Sequence, residues 1–249
     1  MCGLYGFIGT PSEFTKKVVT QLGIDNLVRG KDSSGLAYLN ADTFKVTRKV
    51  CPVNEFLKTS KAEAGLSSSS IIGHTRYATH GAVNWENAHP FKHGEWIFAH
   101  NGVISNFEEI NLELKKNYKV DSQVIGGLLP NKMKLLEGSY AVVAFNINDP
   151  GVIYFWRQYS PLFIAVSPEG TFFSSLRKSL ERNLPGVKVE EIPDYSYGIL
   201  ESDRMSYNII PHEEPISTPI LLNGFWLVGP DSKGEYHATL NADREKAVF

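Results

Sequence analysis

The chain has 249 residues, 42% hydrophobic and 21% charged, with a formal net charge of -2. That near-neutral balance argues against a general nucleic-acid surface, which carries a basic excess. No run approaches the roughly 20 apolar residues of a membrane span. Length and composition suit one globular domain with a substantial core, and two cysteines, Cys2 and Cys51, are too few for a disulfide framework, so a reducing cytoplasm is the natural compartment.

Leu4 to Ile8 reads as a buried strand stopped by Gly9, Thr10 and Pro11. Phe14, Val18, Leu22 and Leu27 recur at helical spacing and predict a helix over 13–28. A polar loop, Arg29-Gly30-Lys31-Asp32-Ser33-Ser34-Gly35, follows, then two strands, 36–39 and 44–50, around a turn at Asn40-Ala41-Asp42. Asn54 suits the cap of a helix running to Ala64. After a Gly/Ser-rich loop, Ile71 to Gly73 opens the densest polar stretch of the chain, Gly73-His74-Thr75-Arg76-Tyr77-Ala78-Thr79-His80-Gly81 and then Asn87-Ala88-His89-Pro90.

Trp96 to His100 is a predicted strand, and Asn101-Gly102 is a hairpin-turn signal because both residues tolerate positive φ. Helices are expected over 106–117 and from Asp121, with Pro130 breaking or kinking the second. From Tyr140 the pattern turns to short strands: 140–146, 152–156, 163–167, 171–174, 187–192, 197–201 and 205–210, with a brief helix over 176–182. Pro211 to Pro219 reads as a linker, followed by one apolar run, 220–228. We therefore expect a domain over 1–210, with 211–249 as a linker and C-terminal extension packed on it. Strict alternation of strand and helix is missing, which favours mostly antiparallel sheets with helices on their outer faces.

The candidate chemistry begins at Cys2. Removal of Met1 would leave a thiol and a free α-amine on one residue, with the amine titrating near ~7.7–8.0 and able to take the thiol's proton. On the first nine residues alone the plainer reading of Cys2 comes first, a small apolar residue entering a strand, because buried Cys is common. Asn101-Gly102 is either a plain turn or a side-chain amide beside a backbone N–H, two donors for an oxyanion. Arg76 is either a solvated charge or a bidentate partner for a carboxylate. Asp121 is either a helix cap or the holder of a ligand ammonium. His74, His80, His89 and His100 match no usual zinc spacing and are read as satisfied polar contacts, and Cys51 as structural.

In combination these motifs are far more specific. Met-Cys-Gly, Arg-Gly-x-Asp-Ser-Ser-Gly, Gly-His-Thr-Arg-Tyr-Ala-Thr-His-Gly, Asn-Ala-His-Pro, His-Asn-Gly and Asp-Ser-Gln occur in one order between residue 1 and about 125. The series resembles the class II glutamine amidotransferases, the N-terminal-nucleophile glutaminase domains. It is most similar to the glutaminase half of the glutamine–fructose-6-phosphate aminotransferases. The resemblance implies an α+β fold, a four-layer αββα N-terminal-nucleophile hydrolase sandwich with two mostly antiparallel sheets.

It further implies Cys2 as the nucleophile on the glutamine amide and Asn101 and Gly102 as the oxyanion hole. Arg76 matches the residue that holds the substrate carboxylate, and Asp121 the one that holds its ammonium. Thr79 and His80 match glutamine-loop positions, and Arg29 a site-shaping residue. No cofactor and no metal are implied. The departures are Tyr77 in place of Trp, Val28 and Lys31 in place of the tyrosines flanking the Arg-Gly pair, and Gln123 in place of an acidic residue.

The reaction implied is hydrolysis of L-glutamine to glutamate and ammonia through a Cys2 thioester. The ammonia would pass to a separate synthase chain, since these residues leave no room for an acceptor domain. The alternatives are an N-terminal-nucleophile hydrolase of another amide and a catalytically idle binding or regulatory module. Paired Arg76 and Asp121 favour a free amino acid over the first, and the intact set of site residues weighs against the second.

Overall fold

The computed structural model describes residues 2–79 and 81–210, and the backbone of three strands within 220–240. In chain order the elements are β1 (Gly3–Gly9), α1 (Glu13–Asp25), β2 (Ser33–Asn40), β3 (Thr43–Lys49), α2 (Val53–Phe56), α3 (Ser60–Gly65), β4 (Ser70–Arg76), β5 (Phe91–His93) and β6 (Trp96–Ile104). Then come α4 (Phe107–Glu113), 3₁₀ segments at Asp121–Gly127 and Met133–Leu135, β7 (Gly138–Asn146), β8 (Asp149–Gln158), β9 (Phe163–Ser167), β10 (Gly170–Ser174), α5 (Arg177–Asn183), β11 (Val189–Glu191), β12 (Ser196–Leu200) and β13 (Met205–Ile209). Residues 1–210 form one compact unit and 211–249 another. Within the latter, β14 (Ile220–Leu222), β15 (Phe225–Val228) and β16 (His237–Leu240) make a three-stranded antiparallel sheet. Among the described residues no helix is long and apolar enough to cross a membrane.

Two antiparallel sheets organise the first unit, ordered β11-β9-β10-β1-β4-β2-β3 and β13-β12-β8-β7-β6-β5. Three separate apolar cores show how they stack. Tyr5 and Phe7 of β1 face Val18 and Leu22 of α1, Phe56 of α2 and Leu180 of α5. Leu4 and Ile8, on the opposite face of β1, meet Ile97, Val143 and Phe155 of the second sheet. The outer face of that sheet, Phe98, Val142 and Trp156, packs on Ile110 of α4 and on Val124 and Ile125 of the first 3₁₀ segment. Strand periodicity of two sends alternate residues into different cores, and the result is the four-layer αββα sandwich. Arg157 of β8 ties the sheets together: it pairs with Glu191 of β11 at 2.6 Å and bonds the carbonyls of Ser160 and Ile192.

Several local expectations give way to tertiary packing. Asn54 does not start a continuous helix: Thr59 donates to the Phe56 carbonyl at 2.8 Å and accepts from the Ala62 N–H at 3.4 Å, so one hydroxyl ends α2 and caps α3. Asn101-Gly102 is not a hairpin turn. Strand β6 runs through both, with Asn101 opposite Ala141 and Gly102 opposite Tyr140. Asp121 does not cap a helix; its carboxylate accepts the Ile104 N–H at 2.9 Å, and the segment after it is 3₁₀. The polar run after Ile71 is, as far as Arg76, a fully buried strand. The predicted linker 211–219 lies outside the described residues.

Phe173 is fully buried in the core between the sheets. Phe173→Ala should cost about 3–5 kcal/mol of unfolding free energy, read by urea denaturation. A loss below about 1 kcal/mol would mean that the sheets do not depend on this face for their packing.

Candidate active site

Strand parity assembles the polar residues. Cys2 precedes Leu4 by two and so shares the face of β1 turned to the second sheet. His74 and Arg76 follow Ile72 by steps of two on β4, and Asn101 follows Ile97 and Ala99 on β6. Pairing of Gly3 with Thr75 and of Ser33 with Arg76 brings the start of β1 level with the end of β4. The three strands thus carry their apolar residues into the inter-sheet core and their polar residues to its rim.

At that rim Cys2 Sγ donates to the Tyr77 carbonyl and faces the Tyr77 N–H, both at 3.4 Å. Arg29 Nε donates to the Cys2 carbonyl at 2.6 Å. Gly3 leaves no room for a side chain: a Cβ would stand 2.5 Å from Asn26 Oδ1 and 2.7 Å from Thr75 Oγ1. Burial pushes the Cys2 thiol above its usual value, against the lowering effects of the Tyr77 backbone bond and the Arg76 charge. The resting group is therefore a thiol that needs a base.

Arg76 is 2% exposed, and its Nη1 donates to the Ala82 carbonyl at 3.1 Å. Burial lowers its pKa, with Cys2, Asp32 and Asp121 opposing; a guanidinium stays protonated in proteins. Asn101 is buried, with Nδ2 3.5 Å from Ser175 Oγ, and Oδ1 meets no hydrogen-bond partner among the described residues. Gly102 has φ +135, and a Cβ there would lie 1.9 Å from the Ser139 carbonyl. Cys2, Arg76, Thr79, Gly102 and Asp121 all line one cavity of about 10 Å³, room for about one water molecule. Of the residues marked out by sequence, Asn101 and Arg29 do not line this cavity: Asn101 precedes Gly102 on β6 and Arg29 reaches the site through the Cys2 carbonyl, while His80 lies outside the described residues.

Sequence reasoning missed three supports. Asp32 Oδ2 accepts the Ala78 N–H at 2.7 Å and its own N–H donates to the Arg76 carbonyl at 3.0 Å, so it fixes the chain leaving β4. Ser175 Oγ accepts the Leu4 N–H at 3.0 Å beside Asn101. Ser122 accepts from or donates to His100 Nδ1 at 2.8 Å. Asp32 and Ser122 stand inside two of the ordered motifs, which was a signal of place but not of role, and Ser175 stands in none.

His74, His89 and His100 are buried together. His74 Nε2 donates to the His100 carbonyl at 3.0 Å, while the His89 ring stacks on that of His74 at 4.1 Å. The reading as satisfied polar contacts holds for one nitrogen each of His74 and His100 but not for His89, neither of whose ring nitrogens meets a partner among the described residues.

A half-buried thiol, a guanidinium, a carboxylate and a backbone N–H around one cavity can grip a small molecule by opposite charges and present a carbonyl carbon to sulfur. Residues 32–124 match the family described as Glutamine amidotransferases class-II. Glutamine–fructose-6-phosphate aminotransferase [isomerizing] of Staphylococcus epidermidis is 34% identical over 224 residues, 82% of this chain and 36% of its own length. That of Pyrococcus horikoshii is 33% identical over 82% of this chain and 37% of its own. The chain thus spans little more than a third of the length of these curated relatives. Among solved structures, glutamine phosphoribosylpyrophosphate amidotransferase from B. subtilis superposes with a TM-score of 0.72 at 17% identity, over 85% of this chain and 50% of its own. A glutamine aminotransferase class-II domain protein from Silicibacter pomeroyi gives 0.54 at 14% identity, over 85% of this chain and 100% of its own. These likenesses establish a shared fold.

Burial holds the three histidines neutral: His74 is pushed from 6.5 to about 3, His89 well below 6.5, and His100 below it with Asp121 opposing. The unfolded chain takes up protons near pH ~6.5 and the native state does not, so stability falls as pH drops through that value. Each such histidine should contribute a slope of about 1.4 kcal/mol per pH unit. Urea unfolding at pH 7 and pH 5 tests this, with a lower midpoint expected at pH 5 and a flatter dependence in His89→Gln. Equal midpoints at the two pH values would refute it.

Proposed function

The chain carries a class II glutamine amidotransferase domain, and from that premise we propose that it hydrolyses the side-chain amide of L-glutamine to glutamate and ammonia, with Cys2 as nucleophile. The observation that carries the proposal is the convergence of Cys2, Arg76, Gly102 and Asp121 on one cavity. Arg76 receives the α-carboxylate and Asp121 the α-ammonium, which leaves the amide carbon for Cys2 Sγ. Thr79, beside Arg76 on the cavity wall, and His80 complete the substrate contacts, and Arg29 fixes the Cys2 carbonyl.

In this reading Met1 is removed, and the freed α-amine of Cys2 takes the thiol proton as sulfur attacks the amide carbon. The carbonyl oxygen becomes an oxyanion, stabilised by Asn101 Nδ2 and the Gly102 N–H. The proton passes to the leaving nitrogen, the C–N bond breaks, and ammonia departs from a thioester. Water, deprotonated by the same amine, then releases glutamate and restores the thiol. The raised thiol pKa supports an amine base acting during attack rather than a standing thiolate.

A cavity of about 10 Å³ is too small for glutamine, so in our reading the wall carried by Tyr77 and Thr79 shifts to admit it. A groove of about 640 Å³ is lined by Gly81, Asn84, Asn87, Lys119 and Gln123, the last two being chain neighbours of the cavity residues Val120 and Ser122, and in our reading it gives the approach. The ammonia passes to a synthase, in our reading a separate chain, to which the exposed Tyr77 at the cavity offers an apolar contact. The free thiols of Cys2 and Cys51 suit a reducing cytoplasm, where we place the reaction.

Steady-state glutamate release by the purified chain, with and without candidate synthases, tests the proposal. Cys2→Ser should abolish turnover while glutamine still binds, because a serine hydroxyl ionises far less readily. Arg76→Ala should lose about 1.5–3 kcal/mol of substrate binding, seen as a raised KM. Release by Cys2→Ser at the wild-type rate would remove the nucleophile, and no release by any wild-type preparation would favour the idle-module reading. Intact mass spectrometry of the active protein should show a chain lacking Met1; full activity with Met1 retained would exclude the amine as base.

A further inference from the structure

Asp121 does not stand alone at the cavity. Its Oδ2 is committed to the Ile104 N–H at 2.9 Å, while Oδ1 faces the Ser122 hydroxyl at 3.5 Å. Ser122 Oγ in turn lies 2.8 Å from His100 Nδ1. All three side chains are buried. His100 is also the residue before Asn101, and its carbonyl is gripped by His74.

The hydrogen positions along this chain are set by chemistry. An ionised carboxylate only accepts, so the Ser122 O–H points to Asp121. The Ser122 oxygen is then the acceptor for His100, which must carry its proton on Nδ1. His74 faces a carbonyl and must carry its proton on Nε2. Burial keeps both rings neutral, each with a single N–H to direct.

We propose that His100 and Ser122 are positioning residues for substrate recognition: the chain His100 Nδ1–H to Ser122 Oγ–H to Asp121 Oδ1 orients the carboxylate that receives the substrate ammonium. The inference rests on the glutaminase reading above. The backbone of His100 and its side chain serve the two ends of one substrate. Through the peptide bond to Asn101 it holds the oxyanion residue, and through Ser122 it aims the ammonium-binding carboxylate. The 3.5 Å contact is long for a hydroxyl–carboxylate bond, and catalytic hydrogen bonds of unliganded sites commonly tighten when substrate binds.

A role through Asp121 makes a prediction that a merely structural role does not. Its loss must weaken binding of molecules that carry an α-ammonium and spare those that lack one. The probes are L-glutamine, read as KM and kcat, and 4-carbamoylbutanoate, which is glutamine without its α-amine, read as an inhibition constant. Ser122→Ala should raise the glutamine KM about two- to tenfold. The kcat should change less than KM, and the inhibition constant of the desamino analogue less than about twofold. Ser122→Thr, which keeps the hydroxyl, should restore the glutamine KM. His100→Phe, which keeps a ring but has no N–H, should repeat the pattern and stands in if Ser122→Ala does not fold.

Equal weakening of both ligands, an unchanged glutamine KM, or failure of Ser122→Thr to rescue would each overturn the proposal. Failure of the glutaminase reading is separate and visible in the wild type, which would then release no glutamate from glutamine.

Discussion

The seat of β1 between β4 and β10 is the constraint on which the rest of the structure depends. Hydrogen bonds on both edges hold residues 3–9 from either side. The position of Cys2 is therefore set by main chain, one residue outside a strand that cannot slide without moving every side chain to the wrong core. Gly3 and the Asn26–Thr75 pair beneath it fix the last step, since a larger residue would lift Cys2 away from Tyr77. Ser175, at the end of β10, bonds both amide groups of Leu4 and lies beside Asn101. Cys2 and Asn101, the proposed nucleophile and oxyanion donor, are thus referenced to one serine.

Two sheets packed face to face provide a dry interior, and the site occupies its rim. The same burial that suits the chemistry shapes the electrostatics. It raises the Cys2 thiol, lowers the three histidines and brings Arg76 and Asp121 out of bulk solvent. Desolvated groups interact more strongly with a charged substrate than exposed ones. A small zwitterion with an amide end matches this arrangement, with a cation and an anion on the cavity wall and the thiol between strand ends. The neutral histidines add directed N–H donors without adding charge, so they order the site while leaving Arg76 as the cation facing it.

The outer layer over the second sheet is thin. One seven-residue helix, α4, and two 3₁₀ segments cover Phe98, Val142 and Trp156. Asp121 opens the first of those segments, and its backbone is anchored by Val124 and Ile125 in the core beneath. The placement of Asp121 is thereby coupled to packing of the outer face, while Cys2 and Arg76 belong to the sheet of β1 and β4. The two halves of the site sit on different sheets and meet only because the sheets pack in one register.

The sequence by itself determined the strands from Tyr140 onward, the buried first strand and mostly antiparallel sheets; its ordered motifs, through the resemblance they carry, gave the αββα layering and the family, and marked out Cys2, Arg76, Asn101, Gly102 and Asp121 as candidates. These were legible because alternation of apolar residues is a local property, and because the motifs keep their residue types at fixed short spacings. Only the tertiary structure decided what Asn101-Gly102 and Asp121 do. Both carry strong local signals, for a turn and for a helix cap, and both are overruled by partners far along the chain: Ala141 and Tyr140 across the ladder in one case, the Ile104 N–H in the other. The linkage of His100, Ser122 and Asp121, the support from Asp32 and Ser175, and the burial that holds His89 neutral are likewise absent from any local pattern. Each depends on the distance between side chains on separate strands, which is fixed by pairing register and sheet packing and leaves no trace in spacing along the chain.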